Sequence, residues 1–512
     1  MHCHCSDWIR SRVCKKHKFE PRLVAVAMMT VTSLLCTGYT PAVALQNAGA
    51  AIEKHDDAKT LLAQGKVRTA IAVYRRAIVA SPHDVTNHYG LAISLDRIGA
   101  LREERVTLLR ALQQDALYAP LHNQLGLLNM KETKHAEAVS ELEKAIELDP
   151  QYAEARNNLG VLMRASGDNA KAETLFRGAI ADDANYTQAM RNLGLLLASE
   201  GRLPESVQVL QRAIQIEPKN VDTLTADAMV RMRMNRKADA VDEFREVVKL
   251  EPRNSERRVN LGIALADSED LSGALNEFTE AVRLDPTNGV AHYNRGRVLG
   301  EMNRDDEAKA EEEKAVRLEG DEAEWWATLG ALARKMGEKS EPVRALRKTV
   351  EIEPKNAERH YALGQALHEA GDGYGAIMEW RSAVDLQPEY AAALYALSRA
   401  LASTNPGESK ELQARFMRLQ TLQRATDEAQ TMGNDALRSS ARGDWAAAIS
   451  ELKLAIERCG ECSAQAQLHK NLGLTYCQSG DLKDGEIELL EADKLMPNDA
   501  DIAKALQILR SR

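Results

Sequence analysis

The chain has 512 residues, too many for one ordinary core, yet no shift in composition cuts it into conventional globular domains. Hydrophobic residues make up 44% but aromatics only 4%, a mixture suited to close-packed helices and poorly suited to sheets, which favour branched and aromatic side chains. The net charge is −9, with acidic and basic residues alternating; this disfavours nucleic acid and anionic membrane, both of which usually need a basic patch.

The only basic cluster lies before residue 23: Arg10, Arg12, Lys15, Lys16, Lys18 and Arg22. The uncharged run LVAVAMMTVTSLLCTGYTPAVA follows, strongly apolar to about Leu35 and ending at Ala42-Val43-Ala44. These are the three parts of a secretory signal peptide. Residues 1–44 are read as such, and the product as exported, periplasmic or secreted. An uncleaved anchor over Leu23 to Leu45 is the alternative, provided Gly38 and Pro41 are tolerated. A lipoprotein would use Cys36, which the bulky Leu35 before it disfavours. His2-Cys3-His4-Cys5 looks like a metal tract, but a leader needs no ligands. Cleavage after Ala44 removes six basic and two acidic residues, taking the charge from −9 to −13 and favouring partners neutral or basic where they touch.

From Ala51 the same marks return every 34 residues, so each residue has a place in a unit. Proline holds place 32 at Pro82, Pro150, Pro218, Pro252, Pro286, Pro354 and Pro388. Glycine holds place 8 at positions such as Gly126, Gly160 and Gly364, and place 15 at positions such as Gly65, Gly167 and Gly371. Alanine holds place 27 at positions such as Ala77, Ala145, Ala281 and Ala383. Places 8 and 27 need small side chains where two helices cross closely, place 15 needs a left-handed turn, and proline stops the second helix. A register kept this long marks a repeat protein.

On these marks the chain resembles the tetratricopeptide-repeat family, with about thirteen units across 51–499. The family pattern wants a bulky residue at place 4, where only Trp326 is a tryptophan. The resemblance implies an all-α, right-handed superhelical solenoid of antiparallel helix pairs. Residues 51–400 form its main part of about ten and a half repeats, and 401–432 a break and long linker helix. Two C-terminal units at 433–499 and a capping helix at 500–512 complete it. Asn405-Pro406-Gly407 marks the break; Ser409 to Met432 has neither Gly nor Pro and reads as one helix of roughly six turns.

Cys459, Cys462 and Cys477 are confined to this end. Cys459-Gly-Glu-Cys462 has the spacing of a disulfide, a redox pair or half a zinc site; in an exported protein a structural disulfide between two of the three is preferred. His88, His122, His292, His360 and His469 share place 4. Equivalent places lie roughly 10 Å apart while zinc–nitrogen bonds span about 2 Å, so packing explains them better than metal.

Asn158, Asn192, Asn260 and Asn294 occupy place 6, which in the family looks onto the concave groove. An amide offers donor and acceptor together, suiting a peptide main chain. The ladder resembles the groove in the repeat domain of O-linked N-acetylglucosamine transferases. By that analogy the four clamp a partner's main chain, with a gap at Ala226; the plain alternative is asparagines that tie helices together or face water. Arg191, Met229, Arg233, Tyr293, Arg297 and Tyr361 join the groove by register and suit peptide anchoring.

No phosphate loop, HExxH, GxSxG or paired-carboxylate motif stands out, and Glu311-Glu312-Glu313 reads as a solvated run. The sequence therefore predicts a non-enzymatic scaffold binding a protein or extended peptide, with no cofactor, no metal and no small-molecule substrate. A repeat-bearing adaptor for an envelope enzyme or secretion complex is the alternative.

Overall fold

The computed structural model describes residues 57–510, so the expected leader and the His2–Cys5 tract lie outside the described residues. All regular structure among those described is helical: 26 helices and no strand. First helices begin at Val85, Ala119, Ala153, Thr187, Val221, Ser255, Gly289, Ala323, Ala357 and Ala391, each 34 residues after the last. None of the described helices is long and apolar enough to cross a membrane. The chain divides into two compact units, one ending at Leu284 and one beginning at Asp285.

Each helix pair of the first unit closes on the marks read from the sequence. A Cβ added to Gly160 would lie 2.7 Å from the Phe176 ring, and one on Gly194 2.6 Å from Leu210 Cγ. Place 8 is thus bare because place 24 of the facing helix fills the space. The place-27 alanines Ala77, Ala111, Ala145, Ala179, Ala213 and Ala281 are fully buried. Place 15 has positive φ throughout, at glycine in Gly65, Gly99, Gly167 and Gly201, but also at Thr133, Asn235 and Glu269. Proline stands just past the last bonded amide of its helix: Ser81 N donates to Ala77 O at 2.8 Å, and Pro82 follows.

Place 4 has its own rule. His88 Nε2 lies 3.1 Å from Pro82 O and His122 Nε2 3.0 Å from Ala116 O, while Arg156 donates to Pro150 O at 2.6 Å and Arg258 to Pro252 O at 3.2 Å. Each donor satisfies the place-32 carbonyl that the terminated helix leaves exposed. In the second unit His292 and His360 do the same with Pro286 O and Pro354 O, and Trp326 donates to Gly320 O at 2.9 Å. At seven of these places histidine, arginine and tryptophan thus do the same hydrogen-bonding work, while Met190, Leu224 and Leu394 hold place 4 without a side-chain donor.

The second unit repeats the close pairing, with a Gly364 Cβ position 2.5 Å from Trp380 Nε1, and then varies it. One 36-residue helix, Pro406–Ala441, starts from an Asn405 cap that accepts from Glu408 N. It is longer at both ends than the helix expected from Ser409 to Met432, and it is a member of two pairs. Its first part completes the eleventh pair, with Leu412 buried among Leu394, Leu397 and Leu401 and Ser409 Oγ donating to Ser398 O at 2.7 Å. Its last part packs Ala429 and Ala436 against Leu452 and Ala455 of Trp445–Cys459. The pair Gln465–Ser479 and Leu482–Leu495 follows, and Ile502 and Leu506 of Ala500–Arg510 cover Leu489 and Ala492. Such a cap shields the last apolar face, which has no further neighbour.

Cys459 and Cys462 form a disulfide, both nearly fully buried, and Cys477 is outside it. The bridge closes the turn between the last two pairs. His469 lies 2.6 Å from Glu488 instead of joining the cysteines.

Candidate interaction face

In the first unit, consecutive first helices from Val85–Arg97 to Val221–Arg233 touch one another as well as their own partners, which makes them one continuous face. Place 9 is Ile93, Leu127, Val161, Leu195 and Met229 on this face and Ile263 on the next first helix, every one aliphatic or thioether and every one half-buried. The row is unbroken through six repeats.

The asparagines lie beside it, tied to one another. Asn158 Nδ2 donates to Asn123 Oδ1 at 2.9 Å, and Asn192 Nδ2 to Asn157 Oδ1 at 2.7 Å, place 6 of one repeat reaching place 5 of the repeat before. Asn158 and Asn192 are only 8% and 7% exposed. Asn260 is half-buried. Of the other residues expected here, Arg191 pairs with Asp222 at 3.2 Å, Arg233 donates to Ala198 O at 2.5 Å, and Met229 belongs to the row.

Asn294, Tyr293, Arg297 and Tyr361 belong to the second unit. Asn294 donates to Val290 O of its own helix at 2.9 Å. Tyr293 stacks on Trp325 with centroids 5.1 Å apart, and the Arg297 guanidinium lies 5.9 Å from the Tyr293 centroid. Tyr361 meets Tyr390 edge-on at 5.2 Å, and its hydroxyl accepts from Gln365 Nε2 at 2.6 Å. Here place 5 carries the aromatic Tyr293 and Tyr361, and place 9 is Arg297, Ala331, Gln365 and Arg399.

Other features escaped the sequence reading. Tyr89, Tyr152 and Tyr186 are drawn together around Glu154: burial, with the Glu154 charge adding to it, pushes Tyr89 and Tyr186 up to about 12 and raises Tyr152 further. Carboxyls also lie inside helix pairs, Glu104 and Glu312 buried and Glu243 half-buried. Glu104 and Glu312 are pushed up to about 7 by burial, and Glu243 to about 8 by burial and the neighbouring Asp227. Glu312 replaces the Leu, Phe or Trp of place 24, is 2% exposed, and leaves its Oε2 without a hydrogen-bond partner. Glu311 differs: burial raises it, but His292, Lys314 and Arg295 outweigh that and hold it at about 2. Neither Glu311 nor Glu312 is a solvated residue, contrary to the reading of their run. His122 is raised, chiefly by its hydrogen bond to Glu141. Among the described residues no group of three or more His, Cys, Asp or Glu side chains could hold a metal ion.

Stacked helix pairs, small residues at each crossing and an exposed face of first helices define a repeat scaffold of the kind that binds other proteins. Two family profiles, both described as tetratricopeptide repeat, match the chain, one at residues 129–195 and 265–332 and the other at 55–119 and 225–289. These matches and the repeated helix pairs support multiple tetratricopeptide-repeat units in the chain. No curated protein matches it. Among solved structures it is similar to yeast Tom70, at 14% identity over 91% of this chain and 96% of that one, with a TM-score of 0.34. It is also similar to the Cut9-Hcn1 hetero-tetramer of the APC/C, at 14% identity over 88% and 95% with a TM-score of 0.35. Pseudomonas aeruginosa PilF matches at 21% identity over 41% and 95% with a TM-score of 0.37. At these values the likeness bears on repeat architecture and not on what this chain binds.

Proposed function

We propose that this protein is an exported, non-catalytic scaffold that holds an extended segment of a protein partner against its first helices. The observation that carries the reading is the unbroken half-buried row from Ile93 to Ile263. A folded domain has little reason to keep six aliphatic or thioether side chains in line on a half-exposed face unless something covers them. Export is supported by the leader-like N-terminus and by the buried Cys459–Cys462 disulfide, which suits an oxidising compartment.

The asparagine ladder takes a different part in this reading. Asn158 and Asn192 link repeats and hold the first helices in register, and their remaining polar atoms are the groups that can meet a partner's main chain. Replacing them tests folding and binding together, so the place-9 row gives the cleaner experiment. The mature chain, beginning at Leu45, is compared with Leu195→Asp and Met229→Asp in capture of partners, each variant first shown to keep its helical signal and melting temperature. Loss of one stoichiometric partner from both variants is the expected result. An identical partner set on all three proteins sinks the reading.

A further inference from the structure

Arg164 stands at place 12 on the first helix Ala153–Ala165, one turn beyond Val161 of the apolar row. The other arginines and lysines of the first helices between Val85 and Asp267 are engaged. Arg97 donates to Leu62 O, Lys131 pairs with Asp96, Arg191 and Arg257 pair with Asp222, and Arg231 pairs with Asp227. Arg156 and Arg258 serve the place-32 carbonyls, and Arg233 donates to Ala198 O. Arg164 alone among them has no side-chain hydrogen bond or ion pair with the described residues, although it is half-buried.

A guanidinium cannot shed its proton to escape such a place. Burial alone lowers its affinity for that proton, with no opposing charge to offset it. The places equivalent to it in the flanking repeats are Met130 and Ala198, and the acidic residue of its own helix, Glu154, stands ten residues earlier, about 15 Å along the axis. The chain thus keeps a desolvated cation beside an apolar row and supplies no anion for it.

We propose that Arg164 receives the carboxylate of an aspartate or glutamate side chain within an extended polypeptide whose aliphatic side chains lie along Leu127, Val161, Leu195 and Met229. This rests on the groove reading above and adds the chemistry of the occupant. The row continues on both sides of Arg164, so the bound chain passes over it and does not end there; an internal side chain is favoured over a terminal carboxylate. The net charge of −9 repels an acidic run and favours a single carboxylate among apolar neighbours. Repeats about 10 Å apart match about three residues of polyproline-II backbone at 3.1 Å each, so the aliphatic residues recur at every third position around the acid.

The test is selection of a displayed library of random 15-residue peptides on the purified mature chain, followed by affinity measurements with synthetic versions of the winners. Winners should share one Asp or Glu with aliphatic residues at third-residue spacing. They should bind Arg164→Gln at least tenfold more weakly, and a Glu→Gln change in the peptide should cost as much on the wild type and little more on the variant. Arg164→Lys should retain part of the binding. Val161→Ser and Leu195→Ser, tested separately and confirmed folded, should also weaken it. Winners that need Val161 and Leu195 but carry no fixed acid, or bind Arg164→Gln unchanged, overturn the carboxylate inference and leave the groove reading standing. Winners indifferent to Val161 and Leu195, or no winners at all, overturn both.

Discussion

At the scale of single residues, the repeat exposes positions where one side chain fights its place. Thr133 adopts a φ of 61° at a place that glycine fills in most other repeats, and a β-branched residue is strained there. The left-handed conformation costs about 1–2 kcal/mol, partly offset by the greater freedom glycine loses on folding, so Thr133→Gly should stabilise by about 1 kcal/mol in denaturant titration. Glu312 is the sharper case. Its carboxyl titrates near 4.5 when unfolded and at about 7 when folded, so the native state holds this proton more tightly. Stability linked to it is complete below about pH 4.5 and declines as pH rises through 7, by of the order of 3 kcal/mol. Glu312→Leu should therefore raise the melting temperature more at pH 8 than at pH 5. A gain equal at both would mean that the site is solvated. Glu311 carries the opposite sign: held at about 2, it adds stability above its unfolded value, and that contribution disappears as pH falls from about 4.5 to 2.

At the scale of the helix pair, stability rests on one contact repeated: a bare place 8 against a large place 24. Phe176 is fully buried against Gly160. Phe176→Ala should cost about 3–5 kcal/mol, read as a lower denaturant midpoint. Gly160→Leu should destabilise as well, because the new side chain would enter the volume the ring already fills. The turn from Trp445–Cys459 to Gln465–Ser479, between the last two pairs, depends in addition on its disulfide. The bridge closes a very short loop, so Cys459→Ser should lower stability by only about 2 kcal/mol on chain-entropy grounds, with protease cleavage appearing first near residue 460.

At the scale of the whole molecule, the 34-residue register was legible because a solenoid is nearly one-dimensional: each repeat meets only its neighbours, and every repeat must satisfy the same crossing. The proposed export is tested on the whole chain too. Mass spectrometry of the protein recovered from its native cell should find a mature N-terminus at Leu45, and an intact basic leader on the folded product would refute signal cleavage.

Period and composition by themselves determined the helical class, the start of each first helix, the small residues at places 8 and 27, the left-handed turn at place 15 and the stop before proline. These are local demands of backbone geometry and close packing, so they recur as residue types. Only the tertiary structure decided which polar groups meet. Asn158 finds Asn123 and Asn192 finds Asn157 across 35 residues, whereas Arg164 finds no side-chain partner among the described residues, and no composition rule separates these outcomes. The place-4 histidines were legible as a series, but only the structure shows the rings of His88, His122, His292 and His360 reaching the carbonyl that the preceding helix left open. A hydrogen bond needs two partners at one point in space, and a one-residue pattern can state at most one of them.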